Sequence, residues 1–218
     1  MLSAILASTL ALAATTSASP ILSKRAGVPP TSSSTGFSLV ANVTDQINYP
    51  WASDVNNWKV SGSHVGAGQS RMILQPSAAP TTIFYQNGTE GITRDSSNDY
   101  PFSIALGPLY SDPTVQYVGI NVGEGTKGVS VGSVVAKVDV GAPTDPTAQG
   151  TFVVCLEDQQ YQIRYAPTAV PEGCAPVSLV AKCEALENLD ESGLEYHRDT
   201  PAAVSCYENP GSIVWSDY

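Results

Sequence analysis

From Phe37 onward, apolar residues recur at every second position or in short unbroken runs, and Gly, Pro, Asn and Asp repeatedly interrupt them. Successive side chains of a strand point to opposite faces, so this period of two predicts half-buried strands. The segments are FSLVANV from Phe37, WKVSGSHV from Trp58, TTIFY from Thr81, FSIAL from Phe102 and VQYVGINV from Val115. GVSVGSVVAKVDV from Gly128, TFVVCL from Thr151, YQIRYA from Tyr161 and VSLVAKC from Val177 continue the plan. All are rich in Val, Ile, Thr and aromatics, which fit a pleated, half-buried surface. The 18 glycines and 16 prolines are spread throughout, which suits many turns and opposes long helices. The expected fold class is therefore all-β, an antiparallel β-sandwich or barrel. One stretch departs from it: in Lys182 to Tyr196, KCEALENLDESGLEY, the spacing of Leu186, Ala185 and Leu189 predicts a short helix near the C-terminus. No repeat of fixed period suggests a solenoid or propeller.

The chain before Phe37 reads differently. Leu2 to Ala14 (LSAILASTLALAA) has the length of a signal-peptide core and is too short to cross a bilayer as a helix. Thr16 and Ala18 place small side chains where signal peptidase accepts them, so cleavage is expected after Ala18, although no Lys or Arg precedes the core. The dibasic pair Lys24-Arg25 then predicts a second cut by a kexin-type protease, leaving Ala26 first. The alternative is a pair of solvated charges in a leader. GVPPTSSSTG, from Gly27 to Gly36, has no spaced apolar residues and reads as a flexible tail. The expected organisation is a signal peptide over 1–18, a propeptide over 19–25, a tail over 26–36 and one β domain over 37–218. SIVWSDY at the C-terminus carries neither an anchor nor a retention signal, so export to the medium or the cell wall is the expectation.

After Arg25 there remain eight basic residues against 20 acidic ones, a formal charge of −12. That balance argues against nucleic acid and anionic membranes as partners. Four cysteines, Cys155, Cys174, Cys183 and Cys206, lie in the C-terminal third, and an even number in an exported chain reads as two disulfides. Three connectivities are open. Local geometry favours Cys155 with Cys174 around the TFVVC–YQIRYA hairpin, and Cys183 with Cys206 across the acidic segment between them. No CxxC pair is present and His64 and His197 are unsuitably spaced for zinc, so no metal and no cofactor is implied. Asn42-Val43-Thr44 and Asn87-Gly88-Thr89 are glycan acceptors. Asn87 is the better candidate, though its Asn-Gly step also reads as a tight hairpin turn.

Catalytic patterns are sparse. Ser61, Ser63 and His64 are close in sequence, but adjacent strand residues face opposite ways and no G-x-S-x-G elbow exists. His64-Val65-Gly66-Ala67-Gly68 reads as a β-turn and Gly123 to Gly128 as a hairpin tip, since neither has phosphate-loop spacing. Glycoside hydrolysis needs two carboxylates, for which Glu124 and Asp139 are the first candidates, against a plainer reading as solvated charges. Asp95, Asn98 and Asp99 place three oxygen side chains on one loop, a pattern that calcium could use and that an Asx-rich turn explains more simply. Sugar binding on exposed rings would fall to Trp51, Trp58, Tyr85, Tyr110 or Trp215, set against the ordinary role of large aromatics in a core.

FSLVANVTD from Phe37, VNNWKVSGSHVGAG from Val55, FYQNGT from Phe84, VGINVG from Val118 and VPEGCAPVSLVAKC from Val170 together resemble a family of small secreted ascomycete proteins known only as a domain of unknown function. The resemblance covers most of the chain after the leader. It implies an exported fungal protein and supplies no activity, cofactor or catalytic residue. The functional expectation is a non-enzymatic protein at or near the fungal cell surface that binds a glycan, a wall component or a host component. The competing expectation is a small secreted glycoside hydrolase.

Overall fold

The computed structural model describes residues 29–43, 45–88, 91–95, 100–132, 137–140, 150–186 and 201–215. The signal peptide and leader, with Ala18, Lys24 and Arg25, lie outside these residues, as do Asn98, Asp99 and the expected helix from residue 187 on.

Among the described residues fifteen strands follow one another: β1 (Ser32–Ser34), β2 (Gly36–Val43), β3 (Lys59–Gly66), β4 (Gln69–Gln75), β5 (Phe84–Asn87), β6 (Gly91–Arg94), β7 (Phe102–Pro108), β8 (Gln116–Val122), β9 (Val129–Val131), β10 (Val138–Val140), β11 (Thr151–Glu157), β12 (Gln160–Ala166), β13 (Cys174–Glu184), β14 (Pro201–Ala202) and β15 (Val204–Cys206). Short 3-10 turns occupy Pro50–Val55 and Pro210–Ser212. The all-β expectation holds. Eleven strands make one antiparallel sheet in the order β11-β13-β2-β3-β4-β12-β8-β7-β6-β5-β14, and the additional pairings β11–β12, β2–β5 and β4–β8 close it on itself. Such closure removes exposed strand edges. β2, β4, β8 and β12 each divide one edge between two partners: β4, for example, gives Ile73 to Gln162 and Arg71 to Gly119.

The alternation seen in the sequence fills the enclosed core. Phe37, Leu39, Ala41 and Val43 of β2 meet Val118 and Ile120 of β8, Ile163 and Tyr165 of β12, and Val177 and Leu179 of β13 in one buried cluster. A smaller cluster on the other face joins Val115, Val153, Cys155, Ala166 and Cys174, with Leu109 and Val170 against it. Both disulfides take the sequential pairing. Cys155–Cys174 links directly opposed residues of β11 and β13, Cα–Cα 4.3 Å, and Cys183–Cys206 joins the end of β13 to β15.

Three sequence expectations are corrected. The fold does not begin at Phe37: β1 in the expected tail pairs with β15, Ser32 opposite Cys206, and the Ser34 hydroxyl donates to the Glu184 carbonyl at 2.9 Å. Backbone pairing to a strand held by a disulfide orders a segment that has no apolar face. GVSVGSVVAKVDV is not one strand, since β9 and β10 pair with each other, Val131 opposite Val138. Gly123 to Gly128 is not a hairpin tip; it connects β8 to β9 and lies against β7, where the Thr126 N–H donates to the Ile104 carbonyl at 2.9 Å. The β-turn expected near Gly66 does join β3 to β4, with a bulge between His64 and Gly66.

The β11–β12 turn tests the backbone physics. Its central residues Asp158 and Gln159 have φ of 49° and 63°, the positive values of a two-residue hairpin turn that Asn-Gly satisfies best. Holding ordinary residues left-handed costs about 1–2 kcal/mol each. Asp158→Asn with Gln159→Gly should therefore raise stability by about 0.5–1 kcal/mol, part of the relief being offset by the entropy of the added glycine. The urea midpoint measures it, and an unchanged or lower midpoint refutes it.

Candidate functional site

Three of the aromatic rings on the inner and end faces of the sheet meet beside the β11–β12 hairpin. Pro50 opens the 3-10 turn that carries Trp51, its fixed φ suiting a first helical position. The next link is a clasp on β2: the Asn56 side-chain oxygen accepts the Val43 N–H at 2.7 Å, and the Asn57 N–H reaches the Ala41 carbonyl at 2.9 Å. Asn57 adopts φ 63°, a left-handed conformation that Asn tolerates. The Trp58 carbonyl accepts the Ala41 N–H at 2.9 Å, which fixes Trp58 at the entry to β3. Tyr161, near the start of β12, completes the group: Trp51 lies nearly parallel to it with centroids 6.2 Å apart, and Trp58 meets it edge-on at 5.4 Å. All three rings are half-buried, so each is anchored on the core and keeps part of its surface in solvent.

A polar network occupies the fork where β4, β8 and β12 share edges. Arg164, 3% exposed, donates from Nε to Glu157 Oε1 at 3.2 Å, and from Nη2 to Glu157 Oε2 at 2.5 Å and Gln162 Oε1 at 2.6 Å. Its guanidinium lies 6.0 Å from the Tyr117 ring centroid. The Tyr117 hydroxyl donates to the Ser70 carbonyl at 2.8 Å, and burial raises its pKa above the ordinary tyrosine value, partly offset by Asn121 and the two arginines Arg164 and Arg71. Gly119 is required here, because a Cβ on it would come within 2.3 Å of the Tyr117 hydroxyl. Its contacts are all within the sheet, and the network serves to close the fork.

At the other end of β12 a cavity of about 210 Å³ opens between the β9–β10 hairpin and β11, β12 and β13. Lys137, Asp139, Thr151 and Ser178 stand around a floor that includes Phe152 and Tyr165. Burial pushes the Asp139 carboxyl above the ordinary aspartate range, Lys137 opposing the shift. A larger groove of about 550 Å³ separates Pro29–Ser32 from the segment Tyr207–Val214.

The structure sorts the sequence candidates. Trp51 and Trp58 come together, with Tyr161 as the partner that sequence reasoning missed; the alternation in YQIRYA, which puts Tyr161, Ile163 and Tyr165 on one face, was the available signal. Tyr85 is 1% exposed and belongs to the core, which corrects its place among ring-stacking candidates. Tyr110 is 95% exposed on the loop after β7, and Trp215 packs edge-on against Tyr207 at 5.7 Å. Asp139 and Glu124 are both exposed; Asp139 lies at the rim of the cavity, and Glu124, on the β8–β9 connector, does not line it. Asp95 is 7% exposed and donates its N–H to the Ile83 carbonyl. His64 is exposed opposite Ser70. Asn42 lies within β2 opposite Ser178, and Asn87 ends β5, where Gly88 at φ 50° turns the chain toward β6.

Comparison with known proteins bears on the whole arrangement. The chain is 29% identical over 229 residues to the antigenic protein SchS34 of Stachybotrys chartarum, an alignment spanning 92% of this chain and 99% of that protein. No solved structure matches. The two disulfides and this similarity fit an extracellular protein. The model of the domain of unknown function DUF7907 matches residues 34–183, which hold the three-ring group, the fork and the cavity and stop at Cys183. The chain therefore belongs to the DUF7907 family.

Proposed function

We propose that the protein acts outside the fungal cell as a non-enzymatic module that binds carbohydrate on the Trp51–Trp58–Tyr161 surface. The observation that carries this reading is the convergence of three half-buried rings from distant parts of the chain. Such rings bury an apolar face against sugar C–H groups at little conformational cost, since the core already orders them. The formal charge of −12 after the dibasic site disfavours acidic polymers and leaves neutral wall glycans as the fitting class. The leader supplies the route of export.

A glycan array and a turnover assay on wall polysaccharides, run on one purified sample, test the proposal. Saturable binding without product is expected, with Trp51→Ala lowering affinity about tenfold, the factor that 1.4 kcal/mol represents. Binding indifferent to both Trp51→Ala and Trp58→Ala overturns the site. The hydrolase reading draws support from the raised Asp139 carboxyl at its cavity. It would replace the first if sugar were released and the release vanished in Asp139→Asn or Glu124→Gln.

A further inference from the structure

The cavity between the β9–β10 hairpin and β11 is a separate feature, located at the opposite end of β12 from the ring surface. Residues 137 and 139 lie on the same face of their strand, with Val138 turned inward and only 5% exposed. The hairpin is set beside β13 by the bridge of Lys137 to Val180. One ammonium and one carboxylate thus stand at the same mouth, with the Thr151 and Ser178 hydroxyls beside them and Phe152 and Tyr165 below. The Tyr165 hydroxyl accepts the Gly150 N–H at 3.0 Å, a bond that leaves its own proton to be given elsewhere.

This chemistry selects a ligand class. Opposite charges of equal number favour a neutral molecule over an ion. Donors and acceptors around an aromatic floor suit a compact molecule with hydroxyls on its rim and C–H groups on its face. A space of about 210 Å³ lies below the volume that drug-sized ligands occupy and is on the scale of one pyranose ring. We propose that this cavity is a monosaccharide site in which Asp139 accepts from, and Lys137 donates to, the hydroxyls of a neutral pyranose. The site does not depend on the ring surface and can exist without it.

The test is an amide NMR titration of the secreted protein with D-glucose, D-mannose, D-galactose and N-acetyl-D-glucosamine separately. At least one should give saturable shifts centred on residues 137–140, 150–152 and 177–178. Asp139→Ala should weaken that binding at least tenfold, and Ser178→Leu, which fills the space, should abolish it. Trp51→Ala should leave it intact. If Ser178→Leu fails to fold, Asp139→Ala alone carries the decision. The proposal is overturned if no sugar shifts these amides, or if binding survives Asp139→Ala and Ser178→Leu. Binding that vanishes only in Trp51→Ala overturns it as well, while leaving the ring surface standing.

Discussion

Glu157→Ala should destabilise the protein by about 2–3 kcal/mol, because removing one partner of a buried ion pair leaves the other charge uncompensated. Arg164 is buried at the fork and donates two side-chain hydrogen bonds to Glu157 and one to Gln162. Without them the guanidinium keeps Gln162 and the Tyr117 face, while its Nη1 is already a buried donor with no partner among the described residues. Glu157 is 37% exposed, so water screens part of the attraction and the cost falls below that of a fully buried pair. Asp158→Asn is the matched control: it removes the charge beside Arg71 at 3.3 Å while keeping a residue that tolerates the positive φ, and because that side chain is 80% exposed the effect should stay within about 0.5 kcal/mol. Replacing both members, Glu157→Leu with Arg164→Met, should recover most of the loss, since no unpaired charge is left behind. Urea midpoints at unchanged m-value measure all three variants. A Glu157→Ala protein as stable as the parent would show that Arg164 is solvated and that the fork does not rely on this pair.

That network also shows where sequence reasoning stopped. YQIRYA was legible as a strand, but the inward set of Tyr161, Ile163 and Tyr165 was not drawn from it, and a charge at Arg164 reads as a solvent-facing residue. It is buried because strands divide their edges at the fork and because the satellite cluster with Leu109, Val115 and Val170 packs on that face. Neither fact has a local signature. β4 was missed for a related reason: Met72, Ile73 and Leu74 are buried in succession, so no period of two marks the strand. FSIAL and VQYVGINV were placed correctly, since their large apolar residues recur at every second position, Ile104 with Leu106 and Val118 with Ile120, and all four pack in the core cluster. TTIFY was displaced, because the strand runs from Phe84 to Asn87. Of the candidate site, the tryptophans were legible as residues, while their meeting on Tyr161 is a product of sheet closure that spacing does not encode.

The same non-local pairing governs the N-terminal strand, and it makes the second disulfide the stronger test of how the chain ends are held. Cys183→Ala with Cys206→Ala opens a link across 23 residues, for which restriction of the unfolded chain predicts a loss of about 3 kcal/mol. Opening Cys155–Cys174, across 19 residues, should remove a similar amount of global stability, yet its residues would remain opposed in the β11–β13 ladder. The local consequences should differ. β15 is three residues long, lies outside the family match and carries β1 on its edge. Once Cys206 is released, β1 and β15 retain three opposed residue pairs, with Ser34 bonded to the Glu184 carbonyl and the Tyr207 N–H to the Ala181 carbonyl. A short two-stranded ribbon of this kind is marginal by itself. Amide hydrogen exchange should therefore accelerate at residues 32–34 and 204–206 in the Cys183/Cys206 variant well beyond its global loss, and follow only the global loss in the Cys155/Cys174 variant. Equal protection of residues 32–34 in the two variants would show that backbone pairing alone holds the N-terminal strand, and that the disulfide acts only on the unfolded chain.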